Sequence, residues 1–108
     1  MGIEISINDQ TFNIHLNNNI CYIELENEGY FLNKRLNKVV IMNPTAYCLW
    51  KYLKKLSLNF KVQKIKETDI IDYLKTIFTF TKEDLLNLID DLIEIIKNFI
   101  NEGILIKE

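Results

Sequence analysis

The sequence predicts a mixed α+β fold, with N-terminal antiparallel strands packed on three helices. Three observations predict it. Apolar and polar residues alternate through much of the first 42 positions, the period-2 mark of half-buried strands. From Asn43 onward apolar residues recur every three or four positions, the spacing of an amphipathic helix. Asn43-Pro44, Thr81 and Gly103 punctuate this second part as helix start and stop signals.

Ile3, Ile5 and Ile7 alternate with Glu4, Ser6 and Asn8, and Phe12, Ile14 and Leu16 repeat the pattern beyond Asn8-Asp9-Gln10. The chain therefore opens with a predicted hairpin. Asn17-Asn18-Asn19 is a loop, Ile20 to Leu25 a further strand, and Asn27-Glu28-Gly29 a turn. Tyr30 to Asn33 and Lys38 to Met42 pair across Lys34-Arg35-Leu36-Asn37. Val39 to Met42 is an unbroken apolar run, so both faces of that strand want cover. A central buried strand and an edge that receives a partner satisfy this equally.

Asn43 caps a helix whose first position is Pro44, where the missing N–H sacrifices no hydrogen bond. Ala46, Leu49, Trp50, Leu53 and Leu56 follow at helical spacing. Ser57 to Ile65 is polar and basic and reads as a loop. A second helix covers Glu67 to Ile77, with Ile70, Ile71, Leu74 and Ile77 inward. The third begins at Thr81, where Asp84 supplies the return contact of a capping box and Phe80 and Leu85 a hydrophobic staple. Gly103 ends it in the left-handed conformation, and Ile104 to Ile106 returns to the core as an extended tail. Trp50, Leu53, Ile70, Leu74, Leu92 and Phe99 are the expected core.

With 108 residues, 48% hydrophobic and 26% charged, the composition is that of one ordinary globular domain. No stretch approaches the roughly 18 apolar residues of a membrane span, and the start has no basic leader before an apolar run. Two cysteines, Cys21 and Cys48, are too few for a disulfide scaffold and suit buried reduced thiols in a cytoplasmic protein. The net charge of −2 conceals three blocks: residues 1–28 hold five acids and no base, residues 29–66 nine bases and no acid, and residues 67–108 ten acids against four lysines. The basic block is either a solvated surface or a footprint for an anionic partner.

Nothing in the sequence composes a catalytic or metal centre. His15 is the sole histidine, with three glycines and two separated cysteines, so a phosphate loop and a zinc site both lack their parts. No cofactor is expected. Asp90, Asp91 and Glu94 read as the solvated face of the third helix. On its other side Leu85, Leu86, Leu88, Ile89, Leu92, Ile93, Ile95, Ile96, Phe99 and Ile100 cover an arc of about 180°, wider than a helix on one core face requires. The sheet, the N-terminal hairpin, a homodimer partner or a bound peptide would account for the excess.

The segments YFLNKRLNKVVIMNPTAYCLWKYL, IKETDIIDYLKTIF and TKEDLLNLIDDLIEIIKNFINEGILI together resemble the PqqD-like family of precursor-peptide recognition elements. The resemblance implies a winged-helix-like module over residues 29–108; residues 1–28 form a β extension that the family pattern does not explain. It also implies a non-enzymatic function: recognising the leader of a ribosomally synthesised precursor and presenting it to a modifying enzyme, often a radical S-adenosylmethionine enzyme. The leader would add as a strand to Lys38, Val39, Val40, Ile41 and Met42, wedged against Leu85, Leu86, Ile89, Ile93 and Ile96, with Lys34 and Arg35 as a charge rim steering an acidic leader. The extension could instead supply its own strand to that edge. A winged-helix DNA-binding regulator is the alternative, and the acids of the third helix argue against it because phosphates would repel them.

Overall fold

The computed structural model describes residues 2–26, 28–33, 37–58 and 63–108. β1 (Ile3–Ile7) and β2 (Gln10–Leu16) form the N-terminal hairpin, with Ile3 opposite Ile14. Asn8 turns it at φ 55°, a left-handed position that Asn tolerates better than most residues. The hairpin is built into a larger sheet. β6 (Gln63–Lys66) runs parallel to β1, and β7 (Leu105–Lys107) runs antiparallel to β2, giving the order β6-β1-β2-β7. The first strands thus occupy the middle of a sheet whose flanks come from residues beyond 62.

A second sheet has the order β3-β4-β5, from β3 (Ile20–Leu25), β4 (Glu28–Asn33) and β5 (Lys38–Met42). Three expectations change here. The link expected as a loop supplies β6, because Ile65 is 5% exposed and enters the core between exposed Lys64 and Lys66. Gly29 lies inside β4, pressed against Tyr47, rather than in a turn. Cys21 is exposed, because β3 is an outer strand and this residue faces away from the helices; only Cys48 is buried.

The first and third helices start and stop where the sequence places them, whereas the second ends at Lys75, two residues short of Ile77, which is 46% exposed rather than inward. In α1 (Pro44–Ser57), Asn43 Oδ1 accepts from the Ala46 N–H at 2.8 Å. α2 (Glu67–Lys75) follows β6 directly, with the Lys66 N–H donating to Asp69 Oδ2 at 2.9 Å. At α3 (Lys82–Asn101) the capping box is complete despite the short Asp side chain. Asp84 N–H donates to Thr81 Oγ1 at 3.1 Å, and Thr81 N–H donates to Asp84 Oδ2 at 3.0 Å. Those bonds hold the Asp84 carboxyl below its usual range, the Thr81 backbone contact contributing most. Gly103, at φ 74°, closes α3 while Ile104 N–H reaches Phe99 O at 2.8 Å and Gly103 N–H reaches Ile100 O at 3.1 Å, the paired bonds of a Schellman motif.

The expected core residues Trp50, Leu53, Ile70, Leu74, Leu92 and Phe99 are all buried, joined by Ile3, Ile5, Ile7 and Ile14 from the first hairpin. α3 packs on β1 and β7, which accounts for much of its apolar width. Among the described residues no helix is long and apolar enough to cross a membrane.

Candidate functional site

β5 is an edge. It pairs with β4 on one side, and β3 sits on the far side of β4. Among the described residues, then, the N-terminal segment does not cover β5's outer edge. The apolar run divides by face: Met42 is buried and Val40 half-buried toward the core, while Val39 and Ile41 are 62% and 64% exposed. An edge strand with apolar side chains on both faces offers unpaired backbone groups as well as apolar surface.

Beside this edge runs a cleft against α3. Its first part, about 330 Å³, has Met42, Ala46, Ile95, Phe99 and Ile104 as apolar walls, with Val40 and Ile41 from β5. Asn43, Ile95 and Asn98 also border a second hollow of about 650 Å³, which continues along α3. Phe78, Phe80 and Leu88 give that hollow its apolar surface, and Asp84, Asn87, Asp91 and Glu94 its polar one. At the opposite end, Lys38 Nζ meets Glu102 Oε2 at 2.6 Å, joining the start of β5 to the end of α3. That ion pair provides for a carboxylate oxygen that is otherwise buried without a hydrogen-bond partner.

The structure therefore brings Val40, Ile41 and Met42 to the cleft, Val39 to the outer face of the same strand, and Lys38 to its end. The helical residues expected opposite them lie elsewhere. Ile93 and Ile96 are buried in the core, Leu85 and Ile89 are half-buried against it, and Leu86 is 78% exposed. None borders the cleft. The apolar arc of α3 is centred on the core, so the cleft meets only its margin, at Leu88, Ile95 and Phe99. Asp91 and Glu94, which read as mere solvation, line it too. The signal was present as a helical stripe through positions 84, 87, 88, 91, 95, 98 and 102, but polar residues within it concealed its role. Lys34 and Arg35 lie outside the described residues.

Several lysines of the basic block have structural partners. Lys51 Nζ is 3.7 Å from Glu24 Oε1 and 4.6 Å from the centre of the Tyr47 ring. Lys54 stands 4.3 Å and 5.0 Å from the Tyr22 and Trp50 ring centres and donates to the Tyr22 hydroxyl at 3.1 Å. Lys64 lies 4.0 Å from Glu4. The Lys51 and Lys54 contacts border an aromatic cluster of Tyr22, Phe31, Tyr47 and Trp50 between α1 and the second sheet. There burial, reinforced by a hydrogen bond to Glu24, pushes the Tyr47 phenol up to about 12. His15 is at the surface, 3.2 Å from Glu108. Among the described residues no three His, Cys, Asp or Glu side chains are grouped to hold a metal ion.

No family model matches the chain, and no curated protein matches it. A solved structure does: TbiB1 in complex with the TbiA(beta) leader peptide, with a TM-score of 0.63, 11% sequence identity, and coverage of 84% of this chain and 93% of that one. At this identity the likeness is one of fold.

Proposed function

We propose that this chain is a non-catalytic recognition element of the PqqD-like kind, acting in the cytoplasm on ribosomally synthesised precursor peptides. It grips the leader segment and presents the remainder to a modifying enzyme, such as a radical S-adenosylmethionine enzyme. The observation that carries this reading is the uncovered edge of β5 beside a cleft on α3, in a fold similar to that of a protein solved with a leader peptide. A peptide laid along β5 gains main-chain hydrogen bonds, while its side chains alternate between the two faces. One set enters the cleft over Met42, Ile95 and Phe99. The other lies beside Val39 and Ile41, where each cross-strand pair contributes roughly 0.2–1 kcal/mol.

The DNA-binding alternative finds little support. The exposed acids Asp90, Asp91 and Glu94 lie on α3, and Lys51 and Lys54 are engaged within the fold.

The test is a search of the neighbouring genes for a short precursor reading frame, a titration with the leader it encodes, and backbone amide NMR. Binding is expected near the micromolar range, about −8 kcal/mol, with shifts at Val39, Val40, Ile41, Leu88 and Ile95. Shifts confined to α2 would overturn the site. Duplex binding in a gel shift, with no affinity for the leader, would overturn the function.

A further inference from the structure

The cleft has charge of one sign. Its described lining holds Asp84, Asp91, Glu94 and Glu102 and neither lysine nor arginine. Two of these acids have local partners: Asp84 closes the helix cap and Glu102 meets Lys38. Asp91 and Glu94 form no ion pair among the described residues. They lie one helical turn apart on the wall of a hollow whose other surface is Phe78, Phe80 and Leu88. A concave site lined by one sign of charge over apolar walls concentrates its field on whatever enters.

The two parts of the cleft are also ordered along the chain. Lys38, the first residue of β5, lies beside Glu102 at the end of α3, whereas Met42, the last, shares the first part of the cleft with Ile95. Asp91 and Glu94 lie further on, past Asn43. From Asp84 to Glu102 the helix stripe is roughly 27 Å long, while β5 spans only about 17 Å. A segment of about eight extended residues is needed to line the whole cleft. If it adds to β5 antiparallel, the slightly more stable pairing, it enters at the acidic hollow and leaves at the Lys38 end.

Resting on the peptide-binding reading, we infer that the segment bound here is a cationic amphipathic strand with a defined polarity. Lysine or arginine occupies its N-terminal part, opposite Asp91 and Glu94, and apolar residues fill its C-terminal part along β5. This reverses the expectation of an acidic leader steered by Lys34, Arg35 and Lys38, of which Lys38 is already paired. The outer face of β5 strengthens the apolar half of the pattern. Val39 and Ile41 stand in register with Leu32 and Tyr30, so an added strand's outward residues meet an apolar row as well.

A displayed library of random ten-residue peptides, selected against the full chain at low salt, tests this. Enriched peptides should carry basic residues ahead of an alternating apolar stretch. The Asp91→Asn/Glu94→Gln variant changes two exposed side chains, so its fold should be intact by circular dichroism. Selection against it should retain the apolar pattern and lose the basic one. A synthetic enriched peptide should bind the variant about three- to tenfold more weakly at low salt, and the gap should close at high salt. An enriched pool that is neutral or acidic, basic residues placed at the C-terminal end, or a basic preference unchanged in the variant would overturn the inference and leave peptide binding standing. Absence of any enrichment would overturn both.

Discussion

Replacing Gly29 by Ala would set a methyl carbon against the Tyr47 ring, 2.9 Å from Cε1 and Cγ and in contact with Cδ1. Non-bonded carbons rest at about 3.5–4.0 Å, so one partner must move by roughly an ångström. Neither can do so freely. Gly29 is in β4, the central strand of its sheet. Tyr47 is 2% exposed, stacked at 6.2 Å on Trp50, 6.3 Å from Phe31 and beneath Lys51. Overpacking of this kind costs about 1–3 kcal/mol, and the confinement of the ring places Gly29→Ala in the upper half of that range. With a urea slope of about 1.5 kcal/mol per molar, the unfolding midpoint should fall by about 1–2 M. Trp50, the single tryptophan of the chain, reports unfolding from within the same cluster. Tyr47→Ala should cost stability by itself but make Gly29→Ala nearly neutral, a coupling that a double-mutant cycle isolates. A Gly29→Ala midpoint within about 0.3 M of the parent, less than 0.5 kcal/mol at that slope, would refute the steric account.

Tyr47 also predicts alkaline behaviour. Its phenol is near 10 when unfolded and about 12 when folded, so the neutral form is favoured in the native state. The associated stability, roughly 3 kcal/mol at 1.36 kcal/mol per pH unit, is fully present below pH 10 and lost as pH rises toward 12. Urea midpoints at pH 9 and 11.5, with tyrosinate absorbance, check this; complete tyrosinate formation near pH 10 in the folded protein would contradict it. Thr81→Ala should destabilise α3 by about 1 kcal/mol yet return the Asp84 carboxyl only part of the way to its ordinary range, because the backbone N–H of residue 81, the larger cause, is retained; an NMR titration measures this. A thiol reagent should modify exposed Cys21 at once and Cys48 only on unfolding, since Cys48 is buried and its thiol is pushed up by that burial. Two rapid modifications would sink that expectation.

The sequence revealed most where a single residue's chemistry decides the local structure. Asn43, Thr81 with Asp84, and Gly103 each satisfy particular helix-end groups, and the isoleucine alternation of residues 3–7 permits one inward face. β6 was hidden because its inward signal is Ile65 alone among lysines and glutamine, so only its parallel partner β1 makes it a strand. The β5 wall of the cleft was legible as an apolar run, but whether the run was central or an edge depended on where β3 paired. The α3 wall was misplaced by part of a turn. Apolar width shows that a helix has more than one neighbour, whereas the orientation of the arc depends on packing against β1 and β7. Asp91 and Glu94 look like solvent-facing acids in any one-dimensional reading, and only the wall opposite makes them part of a cleft.

The four-stranded sheet also gives folding an order in time. β1 pairs with β6 across about 60 positions, and the His15–Glu108 contact beside the β2–β7 pair spans 93. By contrast β3, β4, β5 and α1 are consecutive in the chain. Contacts between near neighbours close cheaply, while distant pairings bear the entropy of the intervening loop before they stabilise anything. The aromatic cluster of Phe31, Tyr47 and Trp50 can therefore nucleate early, carrying the β5 edge with it. The sheet on which α3 rests completes only once residues 105–107 have joined it. A half-made chain would thus display an apolar edge strand before its opposite wall exists, which makes that edge the stretch most exposed to mispairing during synthesis.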